Sequence, residues 1–255
     1  MKTIILAGGK LKKLSALYKE TGIEKKALLP MGGKPMIRWV ADALMGSKHV
    51  DGLAIVGLKP GDFNTADYPV HYLENKGAML DNALAGLQLI EKIAPNEEQC
   101  LLSSSDIPLI TTEMVDEFVE TCIDVDADIH YPLIERKIME SRFPESKRTF
   151  TRMRDGAFSG GDLFFIGRRS TKTNLELIRG LTTRRKNFLS QARLLGFVFI
   201  FRFLLGLMDI TEGAKRVNEA LGINGRVINY PRAEIGMDVD KLSQYLLVKS
   251  ELEKV

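Results

Sequence analysis

The sequence has few of the residues that build thiolate metal sites or disulfide frameworks. Among its 255 residues there are two cysteines, three histidines and one tryptophan. Cys100 and Cys122 follow or lie within apolar segments, and neither has the spacing of a zinc ligand. The apolar stretch before Gly8 is also too short for the core of a signal peptide. We therefore expect a reduced, cytoplasmic protein.

A strong excess of charge is also lacking. The formal net charge is +3 and the sequence pI is about 8.7, whereas nucleic-acid-binding domains usually carry a strongly basic face and a higher pI. We therefore expect no nucleic-acid partner. Hydrophobic residues make up 45% of the chain and charged residues 27%, which suits a globular protein that buries one core. The sequence predicts a single domain over residues 1–255, with a helical insert at 170–210.

The first distinctive feature is a glycine pair near the N-terminus. An apolar strand predicted at 2–6 leads into Ala7-Gly8-Gly9 and then into a lysine-rich segment at 10–13. Adjacent glycines let main-chain N–H groups approach a phosphate closely, and lysines supply the opposite charge. The spacing fits neither the Walker loop nor the dinucleotide-binding pattern. A glycine pair is equally typical of a tight turn, so this feature alone leaves both interpretations open.

Apolar runs and helical apolar stripes alternate along the chain. They predict strands at 53–56, 70–73, 100–104 and 127–134, with helices after Pro35, along the stripe that starts at Leu80, and from Thr111 or Thr112. This alternation predicts an α/β fold with a doubly wound, mostly parallel sheet. Residues 135–166 read as a β-rich excursion that we expect to close over the carboxyl edge of the sheet. Helices at 175–180, 187–195, 197–208 and 212–221 follow, then a strand at 226–230 and a terminal helix.

Acidic residues follow two of these predicted strands. Asp106 comes directly after the run at 100–104, and Asp238 and Asp240 come after the last strand. Ligands of open α/β sheets lie outside the carboxyl ends of the strands, and carboxylates from two strand ends can hold Mg²⁺ against substrate phosphates. Each aspartate could instead cap a turn or a helix.

Four motifs in this order resemble the nucleotidyltransferase superfamily. The resemblance is closest to the MobA-like NTP transferases, which are similar to molybdenum cofactor guanylyltransferase and to sugar-phosphate nucleotidyltransferases. It covers about residues 1–165 and 211–250. The motifs are Ile5-Leu6-Ala7-Gly8-Gly9 with the lysines at 10–13, Lys26-Ala27-Leu28-Leu29-Pro30 with Gly33-Lys34-Pro35-Met36, Ser105-Asp106-Ile107-Pro108-Leu109, and Gly236-Met237-Asp238-Val239-Asp240.

The resemblance implies a Rossmann-like fold and Mg²⁺-dependent transfer of a nucleoside monophosphate from an NTP, with release of pyrophosphate. The implied acceptor is a small phosphorylated or hydroxyl compound, such as a sugar phosphate, a cofactor precursor or a lipid-linked group. The implied catalytic residues are Lys26, at the α-phosphate, and Asp106, which would bind Mg²⁺ together with Asp240 or Asp238. The implied nucleotide contacts are Leu6, Ala7, Gly8, Gly9, Lys10, Lys13, Lys26, Gly77 and Asn82.

The chain departs from the family pattern at three positions. The family loop reads Gly-Gly-x-Gly-x-Arg-Met, whereas this chain has Leu11 and Lys13 in place of the later glycine and the arginine. Lysine keeps the charge but loses the planar fork that holds phosphate through two hydrogen bonds. The alternative function is therefore a nucleotide-binding regulatory module with weak or no turnover. Ser159-Gly160-Gly161 predicts an acceptor-side loop or a hairpin turn, and Asp162 follows where related sequences often carry asparagine.

The segment 177–208 has no counterpart in a minimal transferase. It holds six basic residues and no acidic one, and its last fifteen residues, 194–208, are almost entirely apolar. Fifteen residues are fewer than the ~20 that a membrane-spanning helix needs. The segment predicts either a helix buried against the sheet or in a homodimer interface, or a peripheral contact with a lipid surface or a lipid-linked acceptor.

Overall fold

The computed structural model describes residues 1–65, 68–167 and 197–254. The helices predicted at 175–180 and 187–195, and most of the insert predicted at 170–210, lie outside these residues. The strands are β1 Lys2–Leu6, β2 Pro30–Met31, β3 Lys34–Pro35, β4 Gly52–Val56, β5 Val70–Leu73, β6 Gln99–Ser104, β7 Ile129–Glu135, β8 Thr151–Met153, β9 Gly156–Gly160, β10 Leu163–Gly167 and β11 Gly225–Asn229.

The helices match the predicted apolar stripes where these are long, and two shorter helices were not predicted. The helices of the described part are α1 Ala16–Thr21, α2 Met36–Gly46, α3 Met79–Ile93, α4 Thr112–Cys122, α5 Arg136–Arg142, α6 Phe197–Leu204, α7 Ile210–Leu221 and α8 Leu242–Leu252. Thr111 is the N-cap of α4, and its side chain accepts a hydrogen bond from the Met114 N–H, as predicted. The unpredicted helices are α1, in the first loop, and α5, after β7.

One large mixed sheet organises the molecule. Its strand order is β5–β4–β1–β6–β10–β7–β9–β8, and β11 pairs with β7. β5, β4, β1 and β6 are mutually parallel, and β7 is parallel to β11. β10 is antiparallel to both β6 and β7, so that these two strands point the same way. The predicted α/β fold with a mostly parallel sheet is confirmed.

The two faces of the sheet carry separate apolar layers. In β1, Ile5 belongs to the layer that includes α2 and α4, whereas Ile4 packs on the opposite side with Ile90 of α3. This follows from the period of two residues with which side chains alternate along a strand. Helices therefore cover both faces, as a doubly wound sheet requires.

The predicted β-rich excursion has a different position from the expected one. β8, β9 and β10 extend the main sheet and do not close over its carboxyl edge. The reason lies in β10, where Leu163, Phe165 and Ile166 are all at most 4% exposed. A strand that is apolar on both faces belongs inside a sheet, and β10 accordingly lies between β6 and β7.

The apolar end of the basic segment forms helix α6, which stops at Leu204 rather than at residue 208. Gly206 has a φ of +65°, a left-handed conformation that favours glycine and ends the helix. Phe201, Leu204 and Leu205 are each more than half exposed. Burial against the sheet is therefore wrong for these three side chains. No helix in the described ranges is long and apolar enough to cross a membrane.

Candidate active site

The candidate site lies at the carboxyl edge of the sheet. β1, β4, β5 and β6 are parallel, so that the segments that follow them meet at the same edge. These segments are the Gly8-Gly9 loop, Gly57, the turn at 74–78 and the Ser105–Asp106 turn. β7 points the same way, and β9 and β10 begin at this edge because they are antiparallel to it.

The glycine loop is held close against the end of β4. The Ala7 N–H donates to the Val56 carbonyl over 2.8 Å. Gly57 has a φ of +108°, and a Cβ added there would lie 2.4 Å from the N and Cα atoms of Gly8. Only glycine fits this approach. Sequence reasoning missed Gly57, although a single glycine directly after a strand was the available signal.

A network of amide side chains joins the turn after β5 to the glycine loop. Asn75 donates through Nδ2 to the Gly8 carbonyl over 2.8 Å, and its Oδ1 accepts from the Gly77 N–H and from Asn82 Nδ2. Asn82 is 4% exposed, and its Oδ1 accepts from the Lys76 N–H over 2.7 Å. The structure thus brings Gly77 and Asn82 to the loop that holds Gly8. Asn75 was not predicted.

The lysines of the first loop lie apart from the aspartates of the site. Lys10 forms an isolated β-bridge with Lys25, and its Nζ lies 3.2 Å from Glu24 Oε1. Leu11 donates its N–H to the Glu24 carbonyl and packs against the main core. Lys13 is exposed in the turn before α1. No contact within the described part of the chain brings Lys10 or Lys13 to the carboxylates.

Lys26 lies at the centre of the site between two aspartates. Its Nζ forms ion pairs with Asp106 Oδ2 and Asp240 Oδ1. The side chains of Lys26 and Asp106 are 15% and 14% exposed, whereas Asp240 is 62% exposed. Burial alone would lower the pKa of Lys26, but the two carboxylates outweigh that effect and raise the pKa. The ammonium group is therefore charged and fixed in place.

Main-chain hydrogen bonds set the relative position of these three residues. The Lys26 N–H donates to the Gly9 carbonyl over 3.0 Å, which joins the lysine to the glycine loop. The Val239 N–H donates to the Asp106 carbonyl, also over 3.0 Å, which brings the last motif beside the third. Residues distant in sequence therefore meet through backbone contacts and not only through their charges.

The third aspartate of the cluster faces an arginine that sequence reasoning missed. Carboxylate oxygens of Asp106, Asp238 and Asp240 lie within 4.8 Å of one another. Asp238 forms an ion pair with Arg148, whose side chain is 13% exposed and also donates to Ser159 Oγ over 3.2 Å. Arg148 lies 90 residues before Asp238, and no motif marks it.

Asp162 adds a fourth carboxyl group. Burial, followed by the charge of Asp106, raises the pKa of Asp162 to about 7, although Arg148 and Lys26 offset part of the effect. Its main chain is fixed by hydrogen bonds to Ser104 and Ile235. Ser159 and Gly160 belong to β9, and Gly161 and Asp162 join that strand to β10. Both strands are antiparallel to β7 and therefore run in the same direction, so the predicted hairpin turn is wrong.

The charges of the cluster fit a divalent cation. Four carboxyl groups, those of Asp106, Asp162, Asp238 and Asp240, face two cations, Lys26 and Arg148. With all four ionised the group carries an excess of two negative charges, which is what Mg²⁺ would neutralise. Carboxylate oxygens are also the ligands that Mg²⁺ prefers.

Lys34 belongs to the same motif as Lys26 but lies elsewhere. Its Nζ pairs with Asp42 and lies 3.7 Å from the ring centroid of Trp39. Asp42 also accepts a hydrogen bond from Tyr68 and forms an ion pair with Arg38. Lys34 therefore stabilises the start of α2 and has no place among the aspartates.

A mostly parallel α/β sheet that presents a glycine loop, a lysine and aspartates at its carboxyl edge defines an α/β nucleotidyltransferase. The comparisons agree. The chain belongs to the family of the MobA-like NTP transferase domain, whose model matches residues 3–184. A search of curated proteins found no sequence match.

Solved structures share the fold over nearly the whole chain. A hypothetical transferase from Thermus thermophilus is 33% identical, with a TM-score of 0.81 over 94% of this chain and 96% of that one. CMP:2-keto-3-deoxy-manno-octonic acid synthetase, solved with CTP, has a TM-score of 0.61 at 13% identity, covering 99% and 98%. The 2-C-methyl-D-erythritol 4-phosphate cytidylyltransferase of Thermus thermophilus has a TM-score of 0.54 at 14% identity, covering both chains fully. At the two lower identities the likeness concerns the fold.

Proposed function

We propose that this chain transfers a nucleoside monophosphate from an NTP to a small acceptor and releases pyrophosphate. The observation that supports this most directly is the position of Lys26. It pairs with Asp106 and Asp240 while its main chain is hydrogen-bonded to Gly9. A fixed cation thus lies directly beside both a candidate metal site and a candidate phosphate loop.

The nucleotide would occupy the side of the site formed by β1, β4 and β5. The main-chain N–H groups of Gly8 and Gly9 would contact the phosphates, and Asn82, which lies against Gly8, holds the neighbouring turn with Gly77 in place. Leu6 and Ala7 would lie beneath the nucleotide at the end of β1. Lys10 and Lys13, which extend from the first loop, would hold the leaving pyrophosphate.

The metal would be held by Asp106 and Asp240, which both converge on Lys26, whereas Asp238 faces Arg148. When bound, Mg²⁺ supplies positive charge to the phosphate oxygens and offsets the charge that develops there. Asp238 would then fix Arg148 rather than serve as the first ligand.

Lys26 would neutralise the α-phosphate during the reaction. Phosphoryl transfer demands little covalent chemistry of a protein and depends on positioning and on charge neutralisation. An acceptor oxygen attacks the α-phosphorus, and the bond to pyrophosphate breaks on the opposite side. A nucleophilic side chain is not required, which suits a site built from lysine, arginine and aspartate.

The apolar surface of α6 supports a second, separate proposal about partners. Phe201, Leu204 and Leu205 are exposed, and the preceding segment is basic in sequence. We propose that this surface contacts anionic lipid in a cytoplasmic protein, with a homodimer interface as the competing use. Co-sedimentation with anionic vesicles at low salt, run beside light scattering, tests this: absence of vesicle binding together with a dimer in solution would refute lipid contact.

A thermal-shift screen tests the main proposal. The wild-type chain is measured with ATP, GTP, CTP and UTP, with and without Mg²⁺, beside Asp106→Asn. Asp124→Asn is the matched control, because Asp124 is exposed and lies at the opposite edge of the sheet, next to the Ile123 carbonyl that accepts from Gln99. We expect at least one NTP to raise the melting temperature in a Mg²⁺-dependent way in the wild type and the control only.

Two results would contradict the proposal. If Asp106→Asn keeps the full Mg²⁺-dependent shift, Asp106 does not hold the metal. If an NTP stabilises the chain but no acceptor panel yields pyrophosphate, the regulatory-module alternative replaces the transferase proposal.

A further inference from the structure

A basic pocket lies next to the carboxylate cluster, on the side away from the glycine loop. It has a volume of about 420 Å³, and its lining includes Arg136, Lys147, Arg148 and Arg152. We infer that this basic pocket binds an anionic group, phosphate or carboxylate, of the acceptor. The inference rests on the proposed transferase function and names the chemical class of its second substrate.

Among the residues that the structure describes, two of the four cations of the basic pocket have an acidic partner and two do not. The one acidic side chain among the described lining residues is Glu140, which forms an ion pair with Arg136 at 2.7 Å. Within the described part of the chain, Lys147 and Arg152 have no ion pair and no side-chain hydrogen bond. Clustered cations repel one another and raise the local concentration of anions. The pocket is therefore complementary to a negatively charged ligand.

Arg148 connects the basic pocket to the carboxylate cluster. Its guanidinium pairs with Asp238 and donates to Ser159, while its Nε has no hydrogen-bond partner among the described residues. The preceding residue, Lys147, has a φ of +49°, which a lysine rarely adopts. Such backbone conformations concentrate at functional sites, where surrounding contacts maintain them. Here Lys241 Nζ contributes by donating to the Lys147 carbonyl over 3.3 Å.

The position of the basic pocket fits the acceptor and not the triphosphate. The glycine loop follows β1, on the side of β6 where β4 and β5 also lie, whereas Arg136 follows β7 and Arg152 lies in β8. β6, which ends just before Asp106, lies between these two groups of strands in the sheet order. In-line transfer requires the attacking oxygen and the leaving pyrophosphate on opposite sides of the α-phosphorus. Asp106 follows β6, between the glycine loop and the basic pocket in the sheet order, which suits that requirement.

The test uses inorganic phosphate as the probe. Its ³¹P resonance is followed during titration of the full chain, with and without an equimolar mixture of the four NTPs and Mg²⁺. The variants are Arg152→Glu and Arg152→Lys, at an exposed position of an edge strand. Lys92→Glu is the charge-matched control, because Lys92 is exposed in the last turn of α3, at the opposite edge of the sheet.

We expect the wild type and Lys92→Glu to bind phosphate equally in the presence of the NTPs. Arg152→Glu should weaken phosphate binding at least tenfold, because it replaces a charge-assisted contact by a repulsive one, and Arg152→Lys should stay within about threefold. Equal phosphate affinity in Arg152→Glu and wild type would overturn the inference. Displacement of phosphate by the NTPs would also overturn it, since the probe would then occupy the triphosphate site.

This result is separable from failure of the proposed function. Mg²⁺-dependent stabilisation by an NTP is measured without any change at Arg152. If that stabilisation persists while Arg152→Glu leaves phosphate binding unchanged, the basic pocket is refuted and the transferase proposal stands. If no NTP stabilises the wild type, the transferase proposal fails and the acceptor assignment fails with it.

Discussion

Replacement of Asp162 by asparagine should stabilise the protein, and more so as the pH rises. Asp162 lies among Asp106, Asp240, Lys26 and Arg148, and burial together with Asp106 raises its pKa to about 7 from an ordinary value of 3.8. Between these two values the folded state keeps a proton that the unfolded chain has lost. The free energy of unfolding therefore falls as the pH rises from about 4 to about 7, and it is constant above that range.

The size of the effect follows from the shift. One pKa unit corresponds to 1.36 kcal/mol, so the raised pKa of Asp162 costs at most about 4 kcal/mol at pH 8, and less than about 2 kcal/mol at pH 5, where the folded state keeps the proton. Asparagine has the same shape and no charge, and the hydrogen bonds of residue 162 to Ser104 and Ile235 involve only its main chain. The advantage of Asp162→Asn over wild type should therefore grow by up to about 3 kcal/mol between pH 5 and pH 8.

Urea unfolding at pH 5, 6, 7 and 8 measures this difference directly. Asp124→Asn, changed at an exposed position away from the cluster, serves as the control for loss of a carboxylate. Saturating Mg²⁺ should reduce the advantage of Asp162→Asn, because a cation on Asp106 and Asp240 favours the ionised form of Asp162. An advantage that is the same at every pH would refute the reasoning, since it would mean that Asp162 does not titrate in this range in the folded state.

Two further substitutions separate the nucleotide loop from its surroundings. Gly57→Ala should lower the free energy of unfolding by about 2 kcal/mol, because its Cβ would collide with Gly8 at a positive φ. The urea concentration at the unfolding midpoint and the NTP-induced rise in melting temperature should both decrease. An unchanged melting temperature would contradict the close approach of Gly57 to Gly8. Lys34→Met should lower the free energy of unfolding by about 1 kcal/mol, because it removes the ion pair with Asp42 and the contact with the Trp39 ring. The NTP-dependent rise in melting temperature should remain, and its loss would show that Lys34 belongs to the site.

The sequence was most informative where local pattern alone determines structure. The strands that end at the site have apolar runs bounded by glycine, proline or aspartate, and β4, β5 and β6 lie within one residue of their predicted limits. Asp106 and Asp240 meet because the carboxyl ends of parallel strands share one edge, a consequence of topology that the alternating pattern predicts. The contact of Lys26 with both aspartates is therefore the part of the site that the order of the motifs along the sequence could predict.

The remaining site residues depend on contacts that no local pattern encodes. Arg148 reaches Asp238 across 90 residues, and nothing in its neighbourhood distinguishes it from the other arginines nearby. Asn75 belongs to the site only because its side chain donates a hydrogen bond to the Gly8 carbonyl, a contact between residues distant in sequence. The placement of β10 between β6 and β7 was not predicted, although its continuous apolar composition was an available signal, and its antiparallel direction depends on the chain path through α5, β8 and β9.

Under the proposed function, the departure of the first loop from the family pattern would concern the grip on the leaving group more than the reacting centre. Leu11 packs against the main core and so anchors the first loop to it, whereas Lys13 lies in an exposed turn. The link between the loop and the centre is made instead by the Gly9–Lys26 hydrogen bond and by the contacts of Gly8 with Gly57 and Asn75. None of these uses residues 11 or 13. Under the proposed function, charge neutralisation at the α-phosphate would fall to Lys26 and to the cation that the aspartates would hold, so a weaker hold on pyrophosphate would change nucleotide affinity before it changed the chemistry.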